Sequence, residues 1–305
     1  MFNVSVVIPL FNGSRFVASQ LESLALEKNR PATPPFEVLV ADNGSTDGSA
    51  EIAAGFTDRL QLRVIDAFNR PGQAHARNVA SAAASAERLL FLDQDDTVAP
   101  GYIEAMCQAL DTNAFVAARM DRSFLNPGWR QGIRDLAQET GLGLDGPRLV
   151  PWAYGCTLGI RRETFRSLKG FDESLPVRAG EDVEFCRRAS HAGISLVFVP
   201  DAVVRYRFPV SLGAILRQGV TYGHAGAYVD WSHGSFASAT LMAGICTLLG
   251  PAKLMTVGPS AGERAHGLFL LGRRIGHLRA CRDVRLGRWG QAPDAQVDTV
   301  ENAQR

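Results

Sequence analysis

The residues best equipped for chemistry are Asp93-Gln94-Asp95-Asp96, which follow the apolar run LLFL and place carboxylates at i and i+2. Beyond a strand end such a pair can be turned to one side. There it suits a hard divalent cation that takes oxygen ligands and keeps open positions for phosphate oxygens. A second acidic pair, Glu181-Asp182, follows Gly180 and opens the run VEFCRRASHAG. Val183, Phe185, Cys186 and Ala189 fall on one face of the helix this run predicts, and Gly193 stops it. Asp182 therefore sits in a first helical turn, where the helix dipole favours the ionised carboxylate. Two further polar clusters, Pro9–Asn12 and Asp42–Asp47, also follow apolar runs. Each cluster alone could be an ordinary turn, because Asn, Asp, Gly and Ser are turn residues.

The elements that position these clusters alternate in type. Val4–Pro9, Glu37–Ala41, Leu62–Asp66, Arg88–Leu92 and Ala114–Ala118 are short apolar runs that predict strands. Between them lie helical patterns: Val17, Leu21 and Leu24, then Asp47–Ala54 with Asp47 as N-cap, Gly72–Ser85 and Gly101–Leu110. Such alternation implies βαβ units and a mostly parallel sheet. Ligands of these sheets bind beyond the carboxyl ends of the strands, where three of the polar clusters converge. No GxGxxG follows the first strand, which runs into LFNGSRF, and no GxxxxGK[ST] occurs. Phosphates bound at this edge would therefore rely on a cation rather than a glycine-rich loop.

VSVVIPLFN, VADNGSTDGS, NRPGQAHARN, LLFLDQDD and GFDESLPVRAGEDVEFCRRASHAG stand in the order and approximate spacing of the family 2 glycosyltransferases, which the chain resembles from about Phe2 to Phe208. The resemblance implies the GT-A fold: α/β, a Rossmann-like, mostly parallel sheet flanked by helices, here with a C-terminal helical extension. It implies inverting transfer of a sugar from a nucleotide-diphospho-sugar, UDP-linked, to an acceptor hydroxyl, in bacterial polysaccharide or glycoconjugate synthesis. A divalent metal, Mn2+ or Mg2+, is the implied cofactor. By their places in the motifs, Pro9, Leu10, Asn12 and Asp42 resemble base-recognising residues, with the Asp42 carboxylate accepting from a uracil-type N3–H. Arg77 resembles the family's base- or phosphate-contacting arginine. Asp95 and Asp93 resemble the metal pair, with Asp93 placed for the ribose or the metal's water shell, and Asp96 only caps the next helix. Asp182 matches the general base and Glu181 a supporting contact.

Trp152 and Tyr154, within PWAYGCTLGIRRETF, resemble the segment lining the sugar and acceptor pocket; they either stack on a sugar ring or pack internally. One position departs from the pattern. Where the family often has a metal-completing His, this chain reads VVRYRF, and Arg205 is always charged and cannot ligate a metal. Either Asp95 and the phosphates hold the cation alone or Arg205 supplies part of its charge. The (Q/R)xxRW motif of processive members is absent, which implies single-sugar transfer. The alternatives are a sugar-phosphate nucleotidyltransferase, which would carry a GxGTR-like loop after the first strand, and a catalytically silent nucleotide-sugar-binding protein.

Of 305 residues, 32 are Lys or Arg and 31 Asp or Glu, so the net charge of +1 leaves no whole-molecule basic footprint for nucleic acid. A hydrophobic content of 46% is enough for a substantial core. The division expected is a GT-A domain over 1–208, a helical region over 209–290 and a polar tail over 291–305. Within the first, the nucleotide half ends near 119 and the acceptor half comes after it. Met120–Pro151, with NPGW and TGLGLDGP, reads as loops facing the substrates rather than core. Between Ser232 and Gly262 the only formal charge is Lys253, yet Gly250-Pro251 interrupts the run, so packed helices are expected ahead of an interfacial hairpin or a span. Ala261–Gly290 holds seven Arg against Glu263 and Asp283, with Leu268, Leu271, Ile275 and Leu278 at helical spacing, a pattern suited to an anionic membrane surface. Cys107, Cys156, Cys186, Cys246 and Cys281 are scattered, and MFNVSVVIPLFN lacks a basic n-region. Both point to the cytoplasm, with peripheral contact at the inner face of its membrane.

Overall fold

Seven consecutive buried residues make up β1 (Val4–Leu10), so this strand needs neighbours on both edges and helices on both faces. The computed structural model describes residues 2–126, 128–134, 136–145, 149–175, 179–233 and 260–288. Helix α1 (Val17–Lys28) follows β1; then come β2 (Phe36–Asp42), α2 (Ser49–Ala54), β3 (Leu62–Asp66), α3 (Gln73–Ala83) and β4 (Arg88–Phe91). β1 pairs in parallel with β2 and β4, and β2 with β3; Leu10 stands opposite Asp42 and Asp42 opposite Asp66. The strand-end clusters therefore share one edge.

After β5 (Thr97–Val98) and α4 (Tyr102–Thr112), the second half adds β6 (Phe115–Asp121) and a small hairpin of β7 (Gly143–Asp145) and β8 (Val150–Trp152). β9 (Leu158–Arg161), α5 (Arg162–Ser167), α6 (Glu181–His191) and β10 (Leu196–Arg205) complete it. The strand order is β3-β2-β1-β4-β9-β6-β10-β5. β9 runs antiparallel between β4 and β6, β10 is parallel to β6, and β5 is antiparallel to β10. Strand alternation splits the core. Val6 and Ile8 pack with α1 and α4, and Val7 packs with α3 and α6 on the opposite face.

Local details correct three sequence expectations. Helix α2 starts after Gly48, which holds φ +80°, so Asp47 is not its N-cap; its carboxylate accepts the N–H groups of Ser14 (2.9 Å) and Ser49 (3.1 Å). Asp96 does not cap α4 either, because buried Glu27 of α1 accepts the N–H groups of Gly101 and Ile103, at 2.8 and 3.0 Å. The stretch Met120–Pro151 contributes to the core rather than only facing substrates. Asn126, Ile133, Leu136 and Gln138 are buried, the Gln138 amide donates to the Ala118 carbonyl (2.9 Å), and Asn126 donates to that of Tyr206 (2.6 Å). Side-chain amides satisfy backbone groups that no helix or strand satisfies here, so apolar periodicity could not reveal the burial.

Helix α7 (Leu212–Ser232) and helix α8 (Ala261–Arg285) pack together through glycines. A Cβ on Gly223 would lie 1.9 Å from the Arg273 carbonyl, and one on Gly276 would lie 2.0 Å from that of Val220. The buried stripe of α8 is Gly262, Ala265, Phe269, Gly272, Gly276 and Ala280. Leu268, Leu271 and Ile275, expected on a membrane-facing stripe, lie half-buried beside it, and Leu278 is exposed. Among the described residues no helix is long and apolar enough to cross a membrane. The expectations for residues 234–259 and for the tail lie outside the described residues.

Gly276→Val should lower stability by at least about 1–3 kcal/mol, the usual cost of overpacking, because the added methyls meet backbone that cannot rotate away. An unchanged thermal midpoint would show that α7 and α8 do not approach this closely.

Candidate active site

A cleft of about 370 Å³ opens at the carboxyl edge of the sheet. Pro9, Leu10 and Phe11 line it from the end of β1, Asn43 from the end of β2, and Asp93, Gln94 and Asp95 from the end of β4. The facing wall is Phe208 and one side of α7, with Ala214, Arg217, Gln218, Thr221 and Tyr222 at helical spacing. Of the residues singled out in the sequence, Pro9, Leu10, Asp93 and Asp95 line the cleft. Asn12, Asp42, Arg77, Trp152, Tyr154, Glu181 and Asp182 lie behind or beside its lining.

The loops beyond β1, β2 and β4 are tied to one another. The Gln94 amide accepts the Phe11 N–H (2.8 Å) and donates to the Phe11 carbonyl (3.1 Å). A Cβ on Gly13 would meet that amide at 2.7 Å, so a side chain there would displace Gln94 from Phe11. Asn12, at φ +47°, accepts the Thr46 N–H (2.9 Å), while Asp42 Oδ1 accepts the N–H (3.0 Å) and hydroxyl of Ser45. Asp42 thus organises its own loop, and the next residue, Asn43, faces the cleft and accepts the Gly72 N–H at 2.7 Å.

Arg77 lies deeper than a base- or phosphate-contacting residue would. Its side chain is 1% exposed; Nη2 donates to Asp93 Oδ1 and Nη1 to Glu181 Oε1, both at 2.7 Å. A Cβ on Gly155 would stand 2.6 Å from Nη1, so the guanidinium fills the space a side chain there would take. Gln73, four residues before Arg77 on α3, also donates to Asp93 Oδ1, at 2.8 Å. Asp182 accepts the N–H groups of Gly155 (3.0 Å) and Val183 (2.8 Å). Burial nevertheless raises its pKa against the pull of Arg77 and these N–H groups, so desolvation outweighs the helix-end stabilisation expected from the sequence. Glu181 is pushed up to about 7 by burial and by the neighbouring Asp182 charge. Trp152 packs edge-on to Tyr154 with centroids 4.9 Å apart, and Tyr154 stands 6.2 Å from Tyr206. Both rings pack against a neighbour and remain partly exposed.

Asp95 is pushed up to about 7 by burial and the Asp93 charge. Asp96 is a buried acceptor, taking the Arg207 N–H at 2.8 Å on Oδ1, and its Oδ2 has no hydrogen-bond partner among the described residues. Asp93, Asp96 and Cys156 each offer one potential ligand atom within 4.8 Å of the others. Burial raises the Cys156 thiol well above its ordinary range, which leaves it protonated and a poor ligand. The crowded carboxylates fit a hard, oxygen-seeking cation, but the group that closes around one point joins Asp93 to Asp96 rather than to Asp95, the residue expected from the sequence. Arg205 turns away, its guanidinium 3.6 Å from the Phe124 ring centre. Arg207 takes the place expected of it: it lines the cleft, donates Nε to the Asp95 carbonyl (2.7 Å) and lies over Phe16. Sequence reading missed Gln73, Gln94, Arg207 and the α7 face. The four-residue step to Arg77 could have found Gln73, and the polar spacing in SLGAILRQGVTYG could have found α7.

The fold and this site define an α/β domain with an acidic cleft at the carboxyl edge of its sheet, and comparison places it further. The model of glycosyl transferase family 2 matches residues 5–168, and the chain belongs to that family. Family membership takes the place of the nucleotidyltransferase alternative. The chain is 28% identical over 226 residues to a validoxylamine A glucosyltransferase of Streptomyces hygroscopicus subsp. limoneus, covering 63% of this chain and 49% of the relative. It is 27% identical over 298 residues to the pre-mycofactocin glycosyltransferase of Mycobacterium tuberculosis, covering 92% and 59%. The chain thus spans about half the length of these relatives. Among solved structures, its fold is similar to the mannosyltransferase PcManGT of Pyrobaculum calidifontis in complex with GDP-Man and Mn2+: TM-score 0.59, 18% identity, 91% of this chain and 87% of that one. It is also similar to S. aureus TarS 1-349 in complex with UDP-GlcNAc: TM-score 0.54, 19% identity, 95% and 93%. These likenesses establish the GT-A fold.

Raised carboxyl pKa values set the sign of a pH effect. The contribution of Glu181 is fully present below its ordinary 4.5 and is lost as pH rises through about 7; Asp182 and Asp95 act in the same direction. Metal-free protein should therefore lose stability between about pH 5 and 8, and Glu181→Gln should flatten the loss. Urea midpoints equal at both ends of that window in the wild type would contradict the burial of these groups.

Proposed function

We propose that the chain transfers a single sugar, with inversion, from a UDP-linked diphospho-sugar to an acceptor hydroxyl. The observation that carries this reading is the joining of one cleft, floored by Asp93 and Asp95, to the start of α6 through Arg77. The UDP-GlcNAc complex of TarS supports a uridine donor. Pro9, Leu10 and Phe11 form the base wall, and Asn12 and Asp42 hold the loops around it, with Asp42 Oδ2 the proposed acceptor for the N3–H. A divalent metal, Mn2+ or Mg2+, held by Asp93 and Asp95, would neutralise charge on the departing diphosphate. Arg207 adds a fixed positive charge next to them.

On the acceptor side, Asp182 takes the proton of the attacking hydroxyl. Its raised pKa makes it a stronger base than a solvated aspartate, and two N–H donors fix its orientation. Glu181 and Arg77 act as positioning residues. The proposed division keeps 1–208 as the catalytic domain, with α7 of the adjoining helical region closing the cleft. Acceptors of polysaccharide or glycoconjugate type, at the cytoplasmic face of the membrane, complete the proposal. Exposed Leu278 and Leu286, next to Arg279, Arg282 and Arg285, are the motive for peripheral lipid contact.

A panel of nucleotide-diphospho-sugars, monitored by nucleoside diphosphate release, tests the activity. Turnover should stop in excess chelator and return with Mn2+ or Mg2+. Asp182→Asn should lower it by about 10²–10⁴-fold, the usual worth of a positioned base, and leave UDP affinity intact. Wild-type turnover in that variant would remove Asp182 from the base role. For the lipid contact, anionic vesicles should retain the protein at low salt and release it at high salt, where screening shortens to a few ångström. Equal retention on neutral vesicles would refute the electrostatic part.

A further inference from the structure

Arg134 carries a charge that the proposed chemistry does not use. It lies just past the short helix Gly128–Gly132, is 7% exposed, and is always protonated. Its guanidinium lies among three rings, with centres at 4.2 Å (Phe269), 5.3 Å (Phe208) and 5.5 Å (Tyr222). Nη1 donates to Gln218 Oε1 at 3.2 Å, while Nε and Nη2 are buried without a hydrogen-bond partner among the described residues. No carboxylate among those residues lies within ion-pair distance of it. Buried cations without a counter-ion are unfavourable, and ring faces offset only part of that cost.

Its surroundings say where a counter-ion would go. Phe208, Gln218 and Tyr222, which touch the guanidinium, also form the α7 wall of the cleft, so Arg134 stands one side chain behind that wall. Arg217 lines the same wall, exposed and likewise without an ion-pair partner among the described residues. Arg134 acts electrostatically with Asp182 on two phenols, Tyr154 and Tyr222, and with Asp96 on a third, Tyr206, so the guanidinium lies between the start of α6 and the carboxylates beyond β4. Resting on the glycosyltransferase reading above, we infer that the acceptor is anionic: it carries a phosphate or carboxylate that the α7 wall receives, with Arg217 at the mouth and Arg134 behind it.

The test uses the full chain saturated with UDP and Mg2+, which occupy the donor end, and three probes of one skeleton: glycerol 3-phosphate, glycerate and glycerol. Calorimetry should detect one or both anions and no glycerol. Binding of glycerol 3-phosphate alone assigns a phosphate, and binding of glycerate alone assigns a carboxylate. Arg134→Met and Arg217→Met should each weaken the anion at least tenfold, Arg134→Lys should retain part of it, and all three should bind UDP as the wild type does. Arg217 is exposed, so its variant keeps the test valid even where the Arg134→Met protein does not fold. Equal affinity for glycerol, no binding of either anion, or unchanged anion binding in Arg217→Met would overturn the inference. Failure of UDP itself to bind would count against the donor reading, and the two failures are read separately.

Discussion

Arg77 joins two carboxylates that come from distant parts of the chain, one on the floor of the cleft and one behind its lining. Asp93 ends a central strand, Glu181 starts a helix 104 residues beyond Arg77, and one guanidinium bonds both in a place closed to water. A buried ion group of this kind gains little net stability, because desolvation consumes most of the attraction. Removing one member is different: deleting the guanidinium would leave Asp93, Glu181 and the adjacent Asp182 uncompensated, at a cost of about 3–5 kcal/mol. The linkage therefore acts chiefly on geometry. It sets how far the acidic floor of the cleft stands from the start of α6. Gly155 is part of the same constraint, since it makes room for the guanidinium and also supplies an N–H to Asp182.

The other wall depends on a different kind of contact. Helix α7 is held by α8 at a distance only glycine allows, with further support from the aromatic cluster of Tyr206, Phe208 and Phe269. Close backbone approach takes the place of large interlocking side chains. One side of α7 can then be polar along its cleft-facing length and still be firmly placed. Arg187 of α6 bonds Asp145 of the β7–β8 hairpin (2.5 Å) and Asp230 near the end of α7 (2.6 Å), which ties this wall to the helix bearing Asp182.

How much of this was legible in the sequence depends on which forces leave a pattern there. Strands such as Val4–Leu10 were readable because burial on both faces demands an unbroken apolar run. The convergence of strand-end clusters was readable because parallel topology leaves a single carboxyl edge. Hydrogen bonds between distant side chains and backbone leave no periodic trace. That is why Glu27, rather than a residue near position 96, receives the N–H groups at the start of α4, and why Gln94 looked like a spacer between two aspartates. Arg205 and Arg207 were separable only by knowing that β10 ends at Arg205, after which the chain turns toward Asp95. The direction of the Asp182 shift was hidden because a first-turn position reports the dipole and says nothing of burial.

The Gln94 amide behaves toward Phe11 as a paired strand residue would, offering one acceptor and one donor to the same peptide unit. Through it the sheet gains one more rung past its last backbone pair, made by a side chain instead of a main chain. The loop after β1 and the loop after β4 are consequently one mechanical body. A displacement of either loop carries the other with it, so the Pro9–Phe11 wall and the acidic floor of the cleft move together.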